Sequence, residues 1–285
     1  MWKDILYFEI QQGFKKVSVW VYFIIFFALA FLIANILGGA FTGASIVIGN
    51  QGTNVNSPLL IAELQTVFTF FGVLICAAIF GNAGYRDYET NMHPLIFTTP
   101  IKPASYYSGR FLGSFFLTIF IQLGITLGLA IGFLMPYLDK DAIGIFRLDA
   151  YLHPIFVMVI PNVFLVGAIL FSLAILSRRM LPTYLASVIL LFGYLTSSNL
   201  TSDIETRWIA SLLDPFGGEA ISDLVKYWTP SERDTLLIPL GKWLVFNRVI
   251  WLLSLIHISE PTRLLSMASC GLVLDKKWGG GGGGG

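Results

Sequence analysis

The sequence contains five long apolar stretches without any Asp, Glu, Lys, Arg or His, and these constrain the fold more than any other feature. They are residues 17–37, 64–84, 111–135, 154–176 and 183–200. A helix needs about 20 mainly apolar residues to cross the hydrocarbon core of a bilayer. With 55% hydrophobic and 12% charged residues, the 285-residue chain is too apolar for a disordered protein or an ordinary soluble enzyme. The sequence therefore predicts an all-α membrane protein.

A sixth apolar stretch, 243–252, and the regions around the spans complete the predicted fold. Residues 2–16 place Trp2 and other apolar side chains near one helical face, which is typical of an interfacial helix; the alternative is that they merely begin the first span. Apolar residues at helical spacing over 220–228 and a capping-box pattern at 229–232 predict short outer helices. We therefore expect a bundle of six transmembrane helices, the sixth truncated, with an interfacial N-terminal helix and short outer helices between spans five and six.

Lys and Arg residues in the loops predict the orientation, since cytoplasmic loops are enriched in them. With the N-terminus in the cytoplasm, the short inner segments hold eight such residues and the longer outer loops six, and the first outer loop, 38–63, has none. The N-terminus is therefore expected inside, and a net charge of +1 gives no basic footprint for nucleic acid. The inner residues are Lys3, Lys15, Lys16, Arg86, Lys102, Arg110, Arg178 and Arg179, and the outer ones are Lys140, Arg147, Arg207, Lys226, Arg233 and Lys242.

The C-terminal residues 253–285 are excluded from the fold prediction. The string LSLIHISEPTR at 253–263 resembles the in-frame translation of a transposase-type sequencing-library adapter, and Gly279 to Gly285 resemble a run of G base calls. The alternative is a natural tail with a glycine linker. We expect the natural membrane domain to cover residues 1–252, with its sixth span interrupted, and the natural protein to continue beyond it.

The absence of charge from the five complete spans narrows the possible functions. An ionisable side chain at the centre of a span costs about 2.5–3.5 kcal/mol on insertion scales and usually marks an ion or proton pathway. Channels, ion-coupled carriers and intramembrane hydrolases are therefore disfavoured. The chain also has no G-x-x-x-x-G-K-[ST], H-E-x-x-H or G-x-S-x-G motif. We expect no enzyme activity and no catalytic, cofactor-binding or metal-binding residues in this chain.

A proline–asparagine pair in the fourth span and a row of glycines in the third can each be interpreted in two ways. Asn162 follows Pro161 in the fourth span, where it either lies in a kink satisfied by a neighbouring helix or contacts a substrate. The third span carries Gly124, Gly128 and Gly132 at a spacing of four, a stripe that lets another helix approach closely. The spacing does not say whether that helix belongs to the same chain.

The segment between spans two and three is long and rich in charge for this chain. Residues 85–111 read YRDYETNMHPLIFTTPIKPASYYSGRF, with an apolar patch at 95–97. A short cytoplasmic helix with an exposed apolar face indicates a soluble partner. The order of an acidic pair, Leu, Thr-Pro-Ile, Tyr and a basic residue resembles the coupling segment of ABC-2 type transporter permeases.

The resemblance covers residues 1–252 and includes the interfacial helix, the six spans and the outer helices. The pieces GGAFTGASIVIGN at 38–50, IFGNAGYRDYE at 79–89 and LLDPFGGEAISDLVKYWT at 212–229 resemble one branch, the permease half of bacterial proteins fused to a zinc aminopeptidase-like domain. It implies a bacterial cytoplasmic membrane, and a separate ABC ATPase subunit that binds ATP and docks on the coupling segment, residues 85–107. It also implies a dimer with a second permease copy or homologue. The residues that fall in the coupling segment are Asp87, Glu89, Leu95, Phe97, Thr99, Pro100 and Tyr106.

Two main functions remain from the sequence. The first is the permease subunit of an ATP-driven transporter, expected to be an exporter, with the ATPase supplied by another chain. The alternative is a membrane anchor for a fused peptidase-like domain, without transport. A permease needs the apolar patch at 95–97, whereas an anchor does not. For Glu89, a salt bridge to Arg86 or simple solvation is the alternative to a coupling role.

Overall fold

The described part of the chain is built from helices joined by turns, with no strand among these residues. The computed structural model describes residues 2–41, 53–92, 98, 102–200, 214, 216–239, 241–242 and 244–251. The fold is therefore all-α, as the sequence predicts. In chain order the helices are α1 (Trp2–Lys15), α2 (Val17–Leu37), α3 (Pro58–Phe71), α4 (Val73–Glu89), α5 (Pro103–Phe133), α6 (Leu148–Pro154), α7 (Ile160–Ser177), α8 (Leu181–Leu200), α9 (Gly218–Leu224) and α10 (Pro230–Thr235).

Three helical segments are long and apolar enough to cross a membrane, judged by length and composition. They are Val17–Leu37, Pro103–Phe133 and Leu148–Ser177, the last combining α6, a π-helical turn at Ile155–Val159 and α7. The pair α3 and α4 makes a fourth if the two helices count as one bent span. The apolar part of α8, Leu181–Leu195, is shorter. Three or four long apolar helices fit a multi-pass membrane protein.

The second predicted span, 64–84, does not form one continuous helix, since it covers the second half of α3 and most of α4. The chain instead bends by 47° between α3 and α4, at Gly72. A Cβ placed on Gly72 would lie 2.4 Å from Nε2 of Gln122, so the missing side chain makes room for this amide of α5. Glycine also weakens a helix interior. The bend thus lies where a distant residue, Gln122, packs against Gly72, a contact that a hydropathy pattern does not contain.

The other span boundaries agree with the prediction to different degrees. The first predicted span coincides with α2, Val17–Leu37. The third begins earlier than residue 111, because Pro103 opens α5 at a first-turn position, where proline is tolerated. The fourth, predicted from residue 154, also begins earlier, at Leu148. The sixth predicted span is represented by helical residues 244–251.

The predicted glycine stripe of the third span packs against α2 of the same chain. A Cβ on Gly124 would lie 2.8 Å from the carbonyl oxygen of Phe23, and one on Gly128 would lie 2.4 Å from that of Phe27. At Gly132 the nearest atom, Cβ of Ala34, would be 2.5 Å away. This close approach of two backbones forms the core around Ala30 and Ala34, which are fully buried. The partner helix that the sequence left open is thus α2.

The short helices predicted after the fifth span are present as α9 and α10. Ile221 and Val225 are buried in a cluster with Leu59 of α3 and Met158 of the π-helical turn. The capping box is confirmed: the Glu232 N–H donates to Oγ1 of Thr229, and the Glu232 carboxylate accepts from the Thr229 N–H at 2.7 Å. These short helices therefore pack on the ends of the long ones.

Candidate functional site

The structure brings together two residues of the predicted coupling segment. Asp87 lies in the last turn of α4 and Tyr106 in the second turn of α5, and the Tyr106 hydroxyl donates to Oδ2 of Asp87 at 2.9 Å. Glu89 ends α4 and is exposed. The remaining predicted residues of the segment, Leu95, Phe97, Thr99 and Pro100, lie outside the described residues.

Asp87 and Tyr106 belong to a larger group of polar side chains, which we call the charge cluster: Glu9, Arg86, Asp87, Tyr106 and Arg110. Arg110 donates from Nε to Oε1 of Glu9 at 3.0 Å and from Nη1 to the Asp87 carboxylate. The same Nη1 lies 3.0 Å from the Tyr106 hydroxyl. Arg86 donates to the same Glu9 oxygen at 2.5 Å. The cluster thus joins α1, the end of α4 and the start of α5.

The charge cluster is buried at its centre. Arg110 is 1% exposed, and the side chains of Glu9 and Asp87 are 7% and 13% exposed. A charge held this far from water requires partners, and removing one partner from a buried pair costs about 3–5 kcal/mol. Nη2 of Arg110 is buried without a hydrogen-bond partner in the described part of the chain. The loss of any one contact is therefore expected to disturb the others.

Two glycines of α5 allow α1 to reach this position. A Cβ on Gly109 would lie 2.8 Å from the carbonyl oxygen of Trp2, and one on Gly113 would lie 2.5 Å from Cβ of Glu9. The absence of these side chains lets α1 lie directly on α5, so that the short Glu9 side chain contacts Arg110. The end of α1 beyond this point is also close to α5, since a Cβ on Gly13 would clash with Leu117.

Sequence reasoning did not find Glu9, Arg86 or Arg110 as site residues. Arg86 was considered only as a salt-bridge partner of Glu89, but its ion pair within the described residues is with Glu9. The sequence of α1 does contain an indication of Glu9 as a site residue. At helical spacing Glu9 shares a face with Leu6 and Gly13 rather than with Asp4. An acidic residue on the packed face of an amphipathic helix predicts a basic partner.

A second buried polar group surrounds Asn162, which the sequence analysis left with two interpretations. Asn162 is fully buried; its amide donates to the Phe216 carbonyl at 3.0 Å and its oxygen accepts from Arg248 at 2.8 Å. Its polar atoms are therefore satisfied within the protein, as the structural interpretation expects. Arg248 lies in the sixth predicted span and was not identified as important from the sequence.

Asp214 fixes the loop that reaches Asn162. Its carboxylate accepts from the N–H groups of Phe216 at 2.7 Å and Glu219 at 2.9 Å, and its carbonyl accepts from Asn247. Burial raises the pKa of the Asp214 carboxyl, although these backbone hydrogen bonds act in the opposite direction. The contacts hold the turn before α9 against α7 and the last helix, which is a structural role.

Comparisons with known proteins do not add a family. No protein-family model matches the chain, and no curated protein matches it. Within the described ranges, no group of three or more His, Cys, Asp or Glu residues is placed to hold a metal ion. The function must therefore be argued from the residues and their contacts.

Proposed function

We propose that this chain is the membrane-spanning permease subunit of an ATP-driven transporter of the ABC-2 type, working as an exporter. The observation that carries the proposal is the charge cluster, which ties both ends of the 90–102 region to the N-terminal helix. A separate ATPase docks on residues 85–107 and supplies the energy, because this chain has no phosphate-binding loop of its own. In this proposal the spans number six, and the N-terminus faces the cytoplasm of a bacterium.

The charge cluster could transmit movement from the docked ATPase to the membrane helices. A partner that pushes on residues 90–102 moves the end of α4 and the start of α5, which Asp87, Tyr106 and Arg110 hold together. Through Glu9 the movement also reaches α1, and through the glycine contacts of α5 it reaches α2. The four helices would therefore move as one body, as alternating access between two packed states requires. In the dimer implied by the resemblance, a second permease copy or homologue forms the other half of the pathway.

Co-purification with the ATPase tests the docking step. The double variant Glu89→Ala with Phe97→Asp removes an exposed charge and introduces a charge into the apolar patch, and it changes no residue of the charge cluster. We expect it to insert into the membrane normally and to lose at least 90% of the ATPase retained by the unmodified protein. Tyr227→Asp is the matched control, since Tyr227 is 84% exposed and lies near α9. Normal ATPase retention by the double variant would show that the docking assignment is wrong.

The reading frame downstream of Leu252 and its neighbouring genes distinguish a permease subunit from a membrane anchor. They also test the resemblance to permeases that are fused to an aminopeptidase-like domain. A zinc-binding H-E-x-x-H domain fused after the sixth span would support the branch with the aminopeptidase-like half. An ABC-type ATPase encoded beside it would favour transport over a membrane anchor. A fused peptidase without any neighbouring ATPase would favour the anchor instead.

A further inference from the structure

A cavity of about 340 Å³ lies beside the charge cluster, where five helices come together. Its walls come from α1, α2, α4, α5 and α8, so no single element forms it. Cavities of this size accept small molecules or parts of larger ones. The predicted docking residues that the structure describes, Asp87, Glu89 and Tyr106, are not among those that line this cavity.

The charges around the cavity do not balance. Lys16 and Arg86 line it together with a single carboxylate, Glu9. That carboxylate already accepts hydrogen bonds from Arg86 and from the buried Arg110, whose other ionic partner is Asp87. Three cations therefore share two carboxylates. Lys16 is the cation without an ion pair among the described residues; its ammonium donates to the neutral Oδ1 of Asn82 at 3.1 Å.

The protonation of Lys16 supports the same conclusion. Partial burial of its ammonium, followed by the charge of Arg86, lowers the pKa of Lys16 from its ordinary value. Glu9 acts in the opposite direction, but it does not compensate fully. A bound anion would restore the missing partner and favour the charged form of the lysine.

The other lining residues suit a phosphate group attached to an apolar body. Ser18 and Ser114 supply hydroxyl groups that can donate to phosphate oxygens. Apolar side chains complete the walls, among them Val19, Ile79 and Leu117. A strongly hydrated free anion gains nothing from such walls, whereas the glycerol portion of a phospholipid does.

The position of the cavity also favours a lipid. Lys16 connects α1, the helix expected in the membrane interface, to α2, the first span. Next to it, Val17 is 74% exposed and Ile24 of the same helix is 58% exposed, so acyl chains can lie along α2. Basic residues at this depth attract anionic lipids of the cytoplasmic leaflet.

We propose that this cavity binds a phosphate group, that of an anionic phospholipid from the cytoplasmic leaflet, between Lys16, Arg86 and the two serines. The choice of leaflet rests on the cytoplasmic N-terminus of the proposed function, whereas the phosphate site itself depends on membrane insertion and not on ATPase docking or transport. A bound headgroup would contact α2, α4 and α5 together with Lys16 at the junction of α1 and α2, and so hold the charge cluster in its present arrangement.

Neighbouring lysines provide a matched test. Both lysines are exposed, but only Lys16 lines the cavity, so Lys15→Gln and Lys16→Gln remove the same charge one residue apart inside and outside the site. The full chain is delipidated in detergent and titrated with phosphatidylglycerol or phosphatidylcholine, and bound lipid is counted by native mass spectrometry. We expect phosphatidylglycerol to bind preferentially, and Lys16→Gln to weaken its first binding step about tenfold, as for one lost charge-assisted hydrogen bond. Lys15→Gln should leave that step unchanged, and Lys16→Arg should preserve it.

A titration with inorganic phosphate distinguishes a lipid phosphate from a soluble phosphate compound as the ligand. If millimolar phosphate binds in a Lys16-dependent manner while phosphatidylglycerol binds no better than phosphatidylcholine, a soluble phosphate compound replaces the lipid as the ligand. If Lys15→Gln and Lys16→Gln weaken phosphatidylglycerol binding equally, the binding is a general attraction to surface charge and the proposed site is wrong. The same holds if neither variant changes the binding of any phosphate-bearing ligand.

Discussion

Ion pairs in this protein differ in what surrounds them, and Asp87 and Asp149 make the contrast clear. Asp87 pairs with Arg110, which is 1% exposed, whereas Asp149 pairs with Arg147 at the surface. A surface pair contributes about 0–1 kcal/mol, because water and salt screen the charges. A buried pair leaves an uncompensated charge when one partner is removed. The same substitution at the two aspartates therefore has different consequences.

We expect Asp87→Asn to lower the stability of the protein by about 3 kcal/mol, because Arg110 keeps its charge and loses one of its two carboxylates. Asp149→Asn should cost at most about 1 kcal/mol. Denaturant unfolding of both variants in the same detergent measures the difference. Equal losses at the two positions would mean that the charge cluster is far better solvated than its burial indicates.

The capping box of α10 gives a pH dependence. Hydrogen bonds from the Thr229 N–H and hydroxyl hold the pKa of Glu232 below its ordinary value of 4.5. Because the folded-state pKa is depressed, the carboxylate stabilises the fold above 4.5, and this contribution disappears as the pH falls through the lowered pKa. Glu232→Gln should therefore reduce the melting temperature at pH 7 and have a smaller effect near pH 3.5.

Among the helices, the pairing of α2 with α5 depends on glycines that have no room for a side chain. A Cβ on Gly128 would lie 2.4 Å from the Phe27 carbonyl oxygen, a backbone atom that cannot move aside without shifting α2. By contrast, within the described part of the chain nothing lies within 4 Å of a Cβ on Gly193 of α8. Comparing substitutions at Gly128 and Gly193 therefore distinguishes the role of glycine in helix packing from its effect on helix propensity.

We expect Gly128→Ala to destabilise the protein by about 1–3 kcal/mol, because the added methyl group forces α2 and α5 apart. Gly193→Ala should instead be neutral or stabilise by up to about 1 kcal/mol, since alanine favours the helix and the added methyl group lies more than 4 Å from the other described side chains. Unfolding of the two variants in parallel provides the comparison. A stable Gly128→Ala protein would contradict the close packing of α2 on α5.

The sequence predicted features that depend on neighbouring residues and missed those that depend on distant ones. The bounds of α2 and the capping box at Thr229 follow from local hydropathy and local hydrogen bonding. The bend at Gly72 depends on Gln122 of another helix. The charge cluster pairs Glu9 with Arg110, residues 101 positions apart. Asp87 and Tyr106 were found through a family resemblance, and the cations that hold them were not.

For the whole molecule, the open question is how many helices cross the membrane. By length and composition three or four segments qualify, whereas the proposed permease has six spans. The difference begins at α8, whose apolar part, Leu181–Leu195, is shorter than the other candidates. In the proposed topology, with the N-terminus inside, the region of α9 and α10 lies on the outer side if α8 crosses and on the inner side if it does not.

Cysteine accessibility decides between these topologies. Lys102, Lys140 and Lys226 are exposed and lie before α5, after α5 and after α9, respectively. In a variant lacking Cys76 and Cys270, a single cysteine at each position is treated with a membrane-impermeant maleimide in intact cells. We expect labelling at 140 and 226, and labelling at 102 only after permeabilisation, because an inside N-terminus and five crossings place residue 226 outside. Protection of residue 226 together with labelling of residue 140 would show that α8 does not cross, and the six-span permease would then be wrong.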